Sequence, residues 1–235
     1  MEILPIEIPL PGHAPGLPGT LTVPQRAIGL VAFAHGSGSS RLSPRNTCVA
    51  GVLQRAQVAT LLFDLLTPGE DRDRAARFDI GLLTSRLRLA TSWLDGRPGM
   101  RALPLGYFGA STGAAAALEA AAQQRDRVVA VVSRGGRPDL AGPGLLEAVA
   151  APTLLIVGGH DDVVIDLNRE AMARLRCTKE LVIVPGATHL FEEPGTLEQV
   201  ADHAASWFRR WLGDARPARD PAPGNRPSYG RNCQE

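Results

Sequence analysis

The sequence predicts an α/β domain, a mostly parallel sheet covered by helices on both faces. Three observations carry this prediction. Short apolar runs alternate with stretches of helical periodicity along most of the chain. Several of those runs stop abruptly at glycine-rich or polar segments, as buried parallel strands do where their carboxyl ends open into loops. One such junction, Gly109-Ala110-Ser111-Thr112-Gly113, has the apolar stretch Leu103 to Phe108 before it and the alanine-rich stretch Ala114 to Ala122 after it, which reads as strand, tight turn, helix.

Taken in order, Ile3 to Ile8 and Thr20 to Val23 read as short edge strands forming an antiparallel hairpin, with a Pro/Gly-rich turn over Pro11 to Gly19. Ile28 to Ala34 reads as a buried strand opening into His35-Gly36-Ser37-Gly38-Ser39-Ser40, with a helix expected near Asn46 to Arg55. Thr60 to Phe63 is the next strand, followed by a charged loop through Asp64, Glu70, Asp71 and Asp73. Ile80, Leu83, Leu87, Ala90 and Leu94 recur at three- and four-residue steps and share one helical face. After the serine turn come a strand at Val128 to Val132, a loop with a short helix to Ala150, and a strand at Thr153 to Val157. A helix over Val164 to Arg176, a strand at Leu181 to Val184 and a last helix over Thr196 to Leu212 complete the alternation. From Ala215 the pattern vanishes into proline, arginine, glycine and asparagine. One domain over residues 1–213 and a disordered Pro/Arg-rich tail over 214–235 are therefore expected.

With 235 residues, 44% hydrophobic and 21% charged, the chain is long enough to bury one full core. Twenty-five Lys and Arg against 24 Asp and Glu give a net charge of +1, so no global field favours nucleic acid or a membrane surface. Cys48, Cys177 and Cys233 are too few and too scattered for a disulfide framework or a metal cluster. The start, Met1-Glu2-Ile3-Leu4-Pro5, lacks a basic leader, and no apolar span is long enough for a bilayer. A cytoplasmic protein without cofactor or metal, acting on a small molecule, is the expectation.

The chemistry follows from what an acyl bond demands. A serine hydroxyl is a weak nucleophile until a base takes its proton, and the base, an imidazole, needs a carboxylate to orient it. Ser111, on its sharp turn, is the candidate nucleophile. Asp161, in Gly158-Gly159-His160-Asp161-Asp162, and His189, in Pro185-Gly186-Ala187-Thr188-His189, each follow a predicted strand. The chain order Ser, Asp, His is that of the α/β hydrolases and differs from those of the trypsin-like and subtilisin-like enzymes. The oxyanion needs two backbone N–H groups, expected from Thr112, next to the nucleophile, and from Ser37, in the loop after the early central strand. Gly36, Arg41 and Arg134 are further candidates to line the substrate site, the arginines by binding an anionic group.

Each assignment has a blander rival. The glycine-flanked serine is also compatible with a plain strand-to-helix connection, because the pentapeptide alone is weakly specific. Asp161 competes with a role as helix N-cap, which Asp162 fills at least as well; its place after Gly158-Gly159 favours Asp161 as the acid. Consecutive residues converge poorly on one ion, which argues against a metal at His160 to Asp162. His203 falls within the last helix and reads as structural. His35 is expected to shape the oxyanion loop, and His13 lies in the N-terminal turn. Arg41 and Arg134 compete with a reading as solvated surface arginines.

The four segments His35 to Ser40, Gly109 to Gly113, Gly158 to Asp161 and Gly186 to His189 together resemble an α/β hydrolase of the dienelactone-hydrolase-like group, over about residues 20 to 212. The chain looks especially like the hydrolase domains that in some bacteria are fused to a phosphoribosyltransferase domain, and reads as a stand-alone version of them. Dienelactone hydrolases carry a cysteine at the elbow where this chain has Ser111. The resemblance implies serine-type hydrolysis of a small ester, thioester or lactone through an acyl-enzyme, with no cofactor. An acyltransferase on the same triad, or a catalytically idle scaffold, are the alternatives. Only about 17 residues, Arg134 to Ala150, bridge to the next strand, within the range of an ordinary loop with a short helix, so no large lid is expected and small soluble substrates are favoured.

Overall fold

Strands and helices alternate through residues 1–214, which the computed structural model describes. The tail predicted over 214–235 lies, from residue 215 on, outside the described residues. Strands β1 (Glu2–Leu10), β2 (His13–Val23), β3 (Gly29–Ala34), β4 (Val58–Phe63), β5 (Leu105–Ala110), β6 (Val128–Arg134), β7 (Thr153–Gly158) and β8 (Lys179–Val184) form one sheet in the order β1-β2-β4-β3-β5-β6-β7-β8. β2 pairs antiparallel with both β1 and β4, and every pairing from β4 through β8 is parallel.

The helices are α1 (Pro44–Arg55), α2 (Arg74–Phe78), α3 (Ile80–Asp95), α4 (Thr112–Gln123), α5 (Leu145–Ala148), α6 (Asp162–Arg174) and α7 (Thr196–Gly213). β3, β4, β5 and β7 are buried along their whole length, which explains why they read as unbroken apolar runs. Helices α3 and α4 pack together on one face, and α1 and α7 pack together on the other. The five apolar positions predicted to line one face of α3 are all buried. Alanine lets α4 sit against the sheet: every residue from Ala114 to Ala122 is buried, Leu118 and Glu119 included.

The Pro/Gly-rich segment departs from the reading of a turn. Only Pro11 and Gly12 turn the chain, and His13–Val23 continues as strand, with Ile8 opposite Leu17 and Glu7 opposite Pro18. Pro15 falls where the β1–β2 register is interrupted, and Pro18 lies just outside the β4 pairing over Gly19–Thr22, its carbonyl accepting from the Asp64 N–H at 3.0 Å, so a missing N–H costs little at either position. The charged segment after β4 also holds a 3-10 turn, Glu70–Arg72, and α2, capped by the Asp73 carboxylate on the Ala75 N–H. Between β6 and β7 there is only a 3-10 turn at Pro138–Leu140 and the short α5, with no inserted lid.

Candidate active site

The carboxyl ends of β3, β5, β7 and β8 deliver the four sequence-predicted segments to one edge of the sheet. Ser111 occupies the single residue between β5 and α4, at φ +51° and ψ −119°. A non-glycine residue held there costs on the order of 1–3 kcal/mol, and the surroundings over-determine it. Its N–H donates to the Arg134 carbonyl at 3.2 Å, and its own carbonyl accepts from the N–H groups of Ala114 and Arg137, each at 3.1 Å. The turn closes only with glycine on either side. A Cβ at Gly113 would collide with the carbonyl oxygens of Ala34 and His35, and one at Gly109 with the Ala114 backbone.

Asp161 is the residue before α6, yet its side chain does not cap that helix. It bonds His189 instead, Oδ2 to Nδ1 at 2.6 Å, with the carboxylate mostly buried and the imidazole 37% exposed. Asp162, by contrast, is the first helical residue and is exposed. The His189 loop is braced from three sides. The Thr188 N–H donates to Glu193 Oε2 at 3.1 Å, and hydrogen bonding from Thr188, its side chain foremost, draws the Glu193 carboxyl below its ordinary range. Glu192 pairs with Arg45 of α1, and the Phe191 ring is buried at φ +55° in the core under α1 and α7.

Ser111 and the His189 loop meet through the end of β6. Gly135 follows the carbonyl that holds the Ser111 amide, and at φ +51° an added Cβ would lie 3.5 Å from His189 Cε1 and Nδ1 and 3.3 Å from its carbonyl oxygen. On the opposite side, a Cβ at Gly36 would lie 3.1 Å from Ser111 Cβ. The loop after β3 therefore runs directly against Ser111.

His35 is buried and internal to that loop. Its Nδ1 donates to the Gly36 carbonyl at 3.1 Å while Nε2 accepts from the Leu65 N–H at 3.0 Å, a neutral tautomer consistent with burial pulling its pKa below 6.5. The Ser37 N–H has an internal partner as well: it donates to Thr112 Oγ1 at 2.9 Å. The Thr112 N–H lies in the first turn of α4, where no intrahelical acceptor exists.

The arginines differ from one another. Arg41 is committed to Asp64, through its backbone N–H at 2.7 Å and Nη1 at 2.6 Å, and so ties the loop after β3 to the end of β4. Arg134 is 7% exposed and therefore not a solvated surface residue; it sits 5.8 Å from the Phe191 ring centroid, and burial with repulsion from Arg45 brings its pKa down to about 10. His203 lies on the exposed side of α7, and His160 is exposed beside Asp161. Among the described residues no cluster of His, Cys, Asp and Glu is arranged to hold a metal, and no helix is long and apolar enough to cross a membrane. Asn168 is a contributor the sequence patterns gave no signal for. Buried in α6, it donates through Nδ2 to the Gly136 carbonyl at 2.9 Å and so fixes the segment that links Ser111 to His189.

A crystal structure of a dienelactone hydrolase from Anabaena variabilis is 55% identical, covers 90% of this chain and 98% of that one, and superimposes with a TM-score of 0.86. The chain belongs to the dienelactone-hydrolase group of the α/β hydrolases. Est1E of Butyrivibrio proteoclasticus shares the α/β-hydrolase fold at 16% identity, with a TM-score of 0.75 over 89% of this chain and 99% of that one. A putative phosphoribosyl transferase of Mycobacterium tuberculosis is 60% identical over 208 residues, which are 88% of this chain and 45% of that protein. This α/β hydrolase thus spans about half the length of the curated relatives it matches first. No family model matches the sequence.

Proposed function

We propose that this α/β hydrolase cleaves small acyl esters by a Ser111–His189–Asp161 mechanism. The observation that carries the reading is the 2.6 Å bond between His189 Nδ1 and Asp161, at the sheet edge where Ser111 is held in a left-handed turn. A carboxylate on Nδ1 fixes the tautomer that leaves Nε2 free to take the serine proton. Ser111 Oγ then adds to the acyl carbon, the carbonyl electron pair moves to oxygen, and the proton passes to His189. Collapse expels the alcohol, which recovers that proton, and water repeats the sequence on the acyl-enzyme. Side chains and backbone N–H groups supply every role in this scheme.

The surroundings favour small, largely apolar esters. Leu42, Val163 and Leu190 are exposed large hydrophobic residues on the segments that follow β3, β7 and β8, and the β6–β7 connection is too short to form a lid. Arg41 is engaged by Asp64, which removes one of the two candidate anion binders. The test is turnover of 4-nitrophenyl acetate and butyrate. Hydrolysis should fall by at least about 10³-fold in Ser111→Ala with the melting temperature retained. Equal rates in the two proteins would remove the serine mechanism.

A further inference from the structure

The Ser37 N–H, one of the two groups expected to receive the oxyanion, donates at 2.9 Å to the hydroxyl of Thr112, the residue that supplies the other. The Thr112 side chain is buried, at 2% exposure, and belongs to the first turn of a helix, where threonine divides between two rotamers. The bond joins residues 75 positions apart, from the loop after β3 to the turn after β5, and Gly36 brings that loop against Ser111 at the same point.

We propose that the Thr112 hydroxyl is a built-in competitor for the oxyanion hole: it holds the Ser37 N–H in the resting enzyme and yields it only to a charged acceptor. The inference rests on the serine-esterase reading above and specifies how that site discriminates. An ester carbonyl is a neutral acceptor, no stronger than a threonine hydroxyl, and so gains nothing by displacing it. The oxyanion that forms when Ser111 Oγ adds to the acyl carbon is charged, and a bond to it is roughly twice as strong as a neutral one. Displacement therefore occurs as the reaction proceeds. The donor acts in the transition state and stays out of the ground-state complex, so ground-state binding of the substrate draws nothing from it.

Thr112→Val keeps the shape of the side chain and removes the acceptor. The Ser37 N–H then has no internal bond to give up and is open to the substrate carbonyl before reaction, so KM should fall by about 3–5-fold, while kcat stays within about 2-fold because the oxyanion keeps the same donor. In the Ser111→Ala background the same change should tighten the Kd of the intact 4-nitrophenyl ester by a similar factor, a readout that needs no turnover. Thr112→Ser, which restores a hydroxyl, should move KM back from the valine value. Thr112→Ala gives the same readout if valine prevents folding.

A drop of tenfold or more in kcat/KM at unchanged KM, rescued by serine, would overturn the proposal, because the hydroxyl would then be holding the loop in its working position. Unchanged kcat and KM in a folded Thr112→Val protein would overturn it too. Loss of the esterase reading itself is seen separately, as wild-type turnover that is absent or independent of Ser111.

Discussion

Asp161 and Asp162 are adjacent and chemically identical, and the backbone sends them to different tasks. Asp161 precedes α6 and turns its carboxylate to His189, while Asp162 begins the helix with its side chain in solvent. Asp161→Asn should cost on the order of 10³–10⁴-fold in kcat, because an amide facing Nδ1 no longer selects the productive tautomer. Asp162→Asn should stay within about twofold. The reverse ranking, measured as kcat on 4-nitrophenyl butyrate, would place the acid one residue later. Residue types and chain order made this pair legible in the sequence. What the sequence withheld was the competitor: nothing in His35 to Ser40 or Gly109 to Gly113 tells that the Thr112 hydroxyl takes up the Ser37 N–H, since two loops 75 residues apart meet only in the fold.

At the scale of elements, the turn between β5 and α4 is the most constrained connection. Gly113 has no room for a Cβ against the Ala34 and His35 carbonyls, at the end of β3 and the start of the loop that follows it. Gly113→Ala should therefore destabilise by at least about 3 kcal/mol, seen as a melting temperature lower by about 6–12 °C. Gly213→Ala, at a position with no atom within 4 Å of the added Cβ, should change stability by less than about 0.5 kcal/mol. Similar losses at both would mean that the elbow is not specially packed. The buried parallel strands were legible because burial on both faces writes an unbroken apolar run. The second half of β2, Thr20 to Val23, was legible too; the first half was not, because Pro15, Gly16, Pro18 and Gly19 carry the local signature of a turn and only pairing with neighbouring strands makes them part of one. α2 was also missed, being a five-residue helix inside a charged stretch whose short capping pattern is indistinct in sequence.

For the whole molecule, the loop after β3 is tied to the sheet by a buried neutral histidine and an ion pair, and the first of these makes stability depend on pH. Burial depresses the His35 pKa below 6.5, so the unfolded chain takes up a proton at a pH where the native one does not. The contribution is fully present above 6.5 and is lost as pH falls through the lower, native-state value. The denaturant midpoint should accordingly fall between pH 7.5 and pH 5.5, and His35→Gln should show a shallower dependence over that window. An equal slope in both proteins would mean that other groups dominate. The overall topology needed only the alternation of runs and periodic stretches to be foreseen. The relation of the site to the rest of the molecule needed the fold, because the Ser111 and His189 loops, 78 positions apart by residue number, are joined through Arg134, Gly135 and Asn168, none of which belongs to a recognisable motif.

The central claim is that Ser111 is an activated nucleophile, and it can be tested without knowing the natural substrate. The measurement is the intact mass of the protein after exposure to a fluorophosphonate, with Ser111→Ala treated in parallel. The expected result is a single adduct, mapped to Ser111 by peptide sequencing and absent from the alanine variant. Full folding with no adduct, or equal labelling of both proteins, would contradict it.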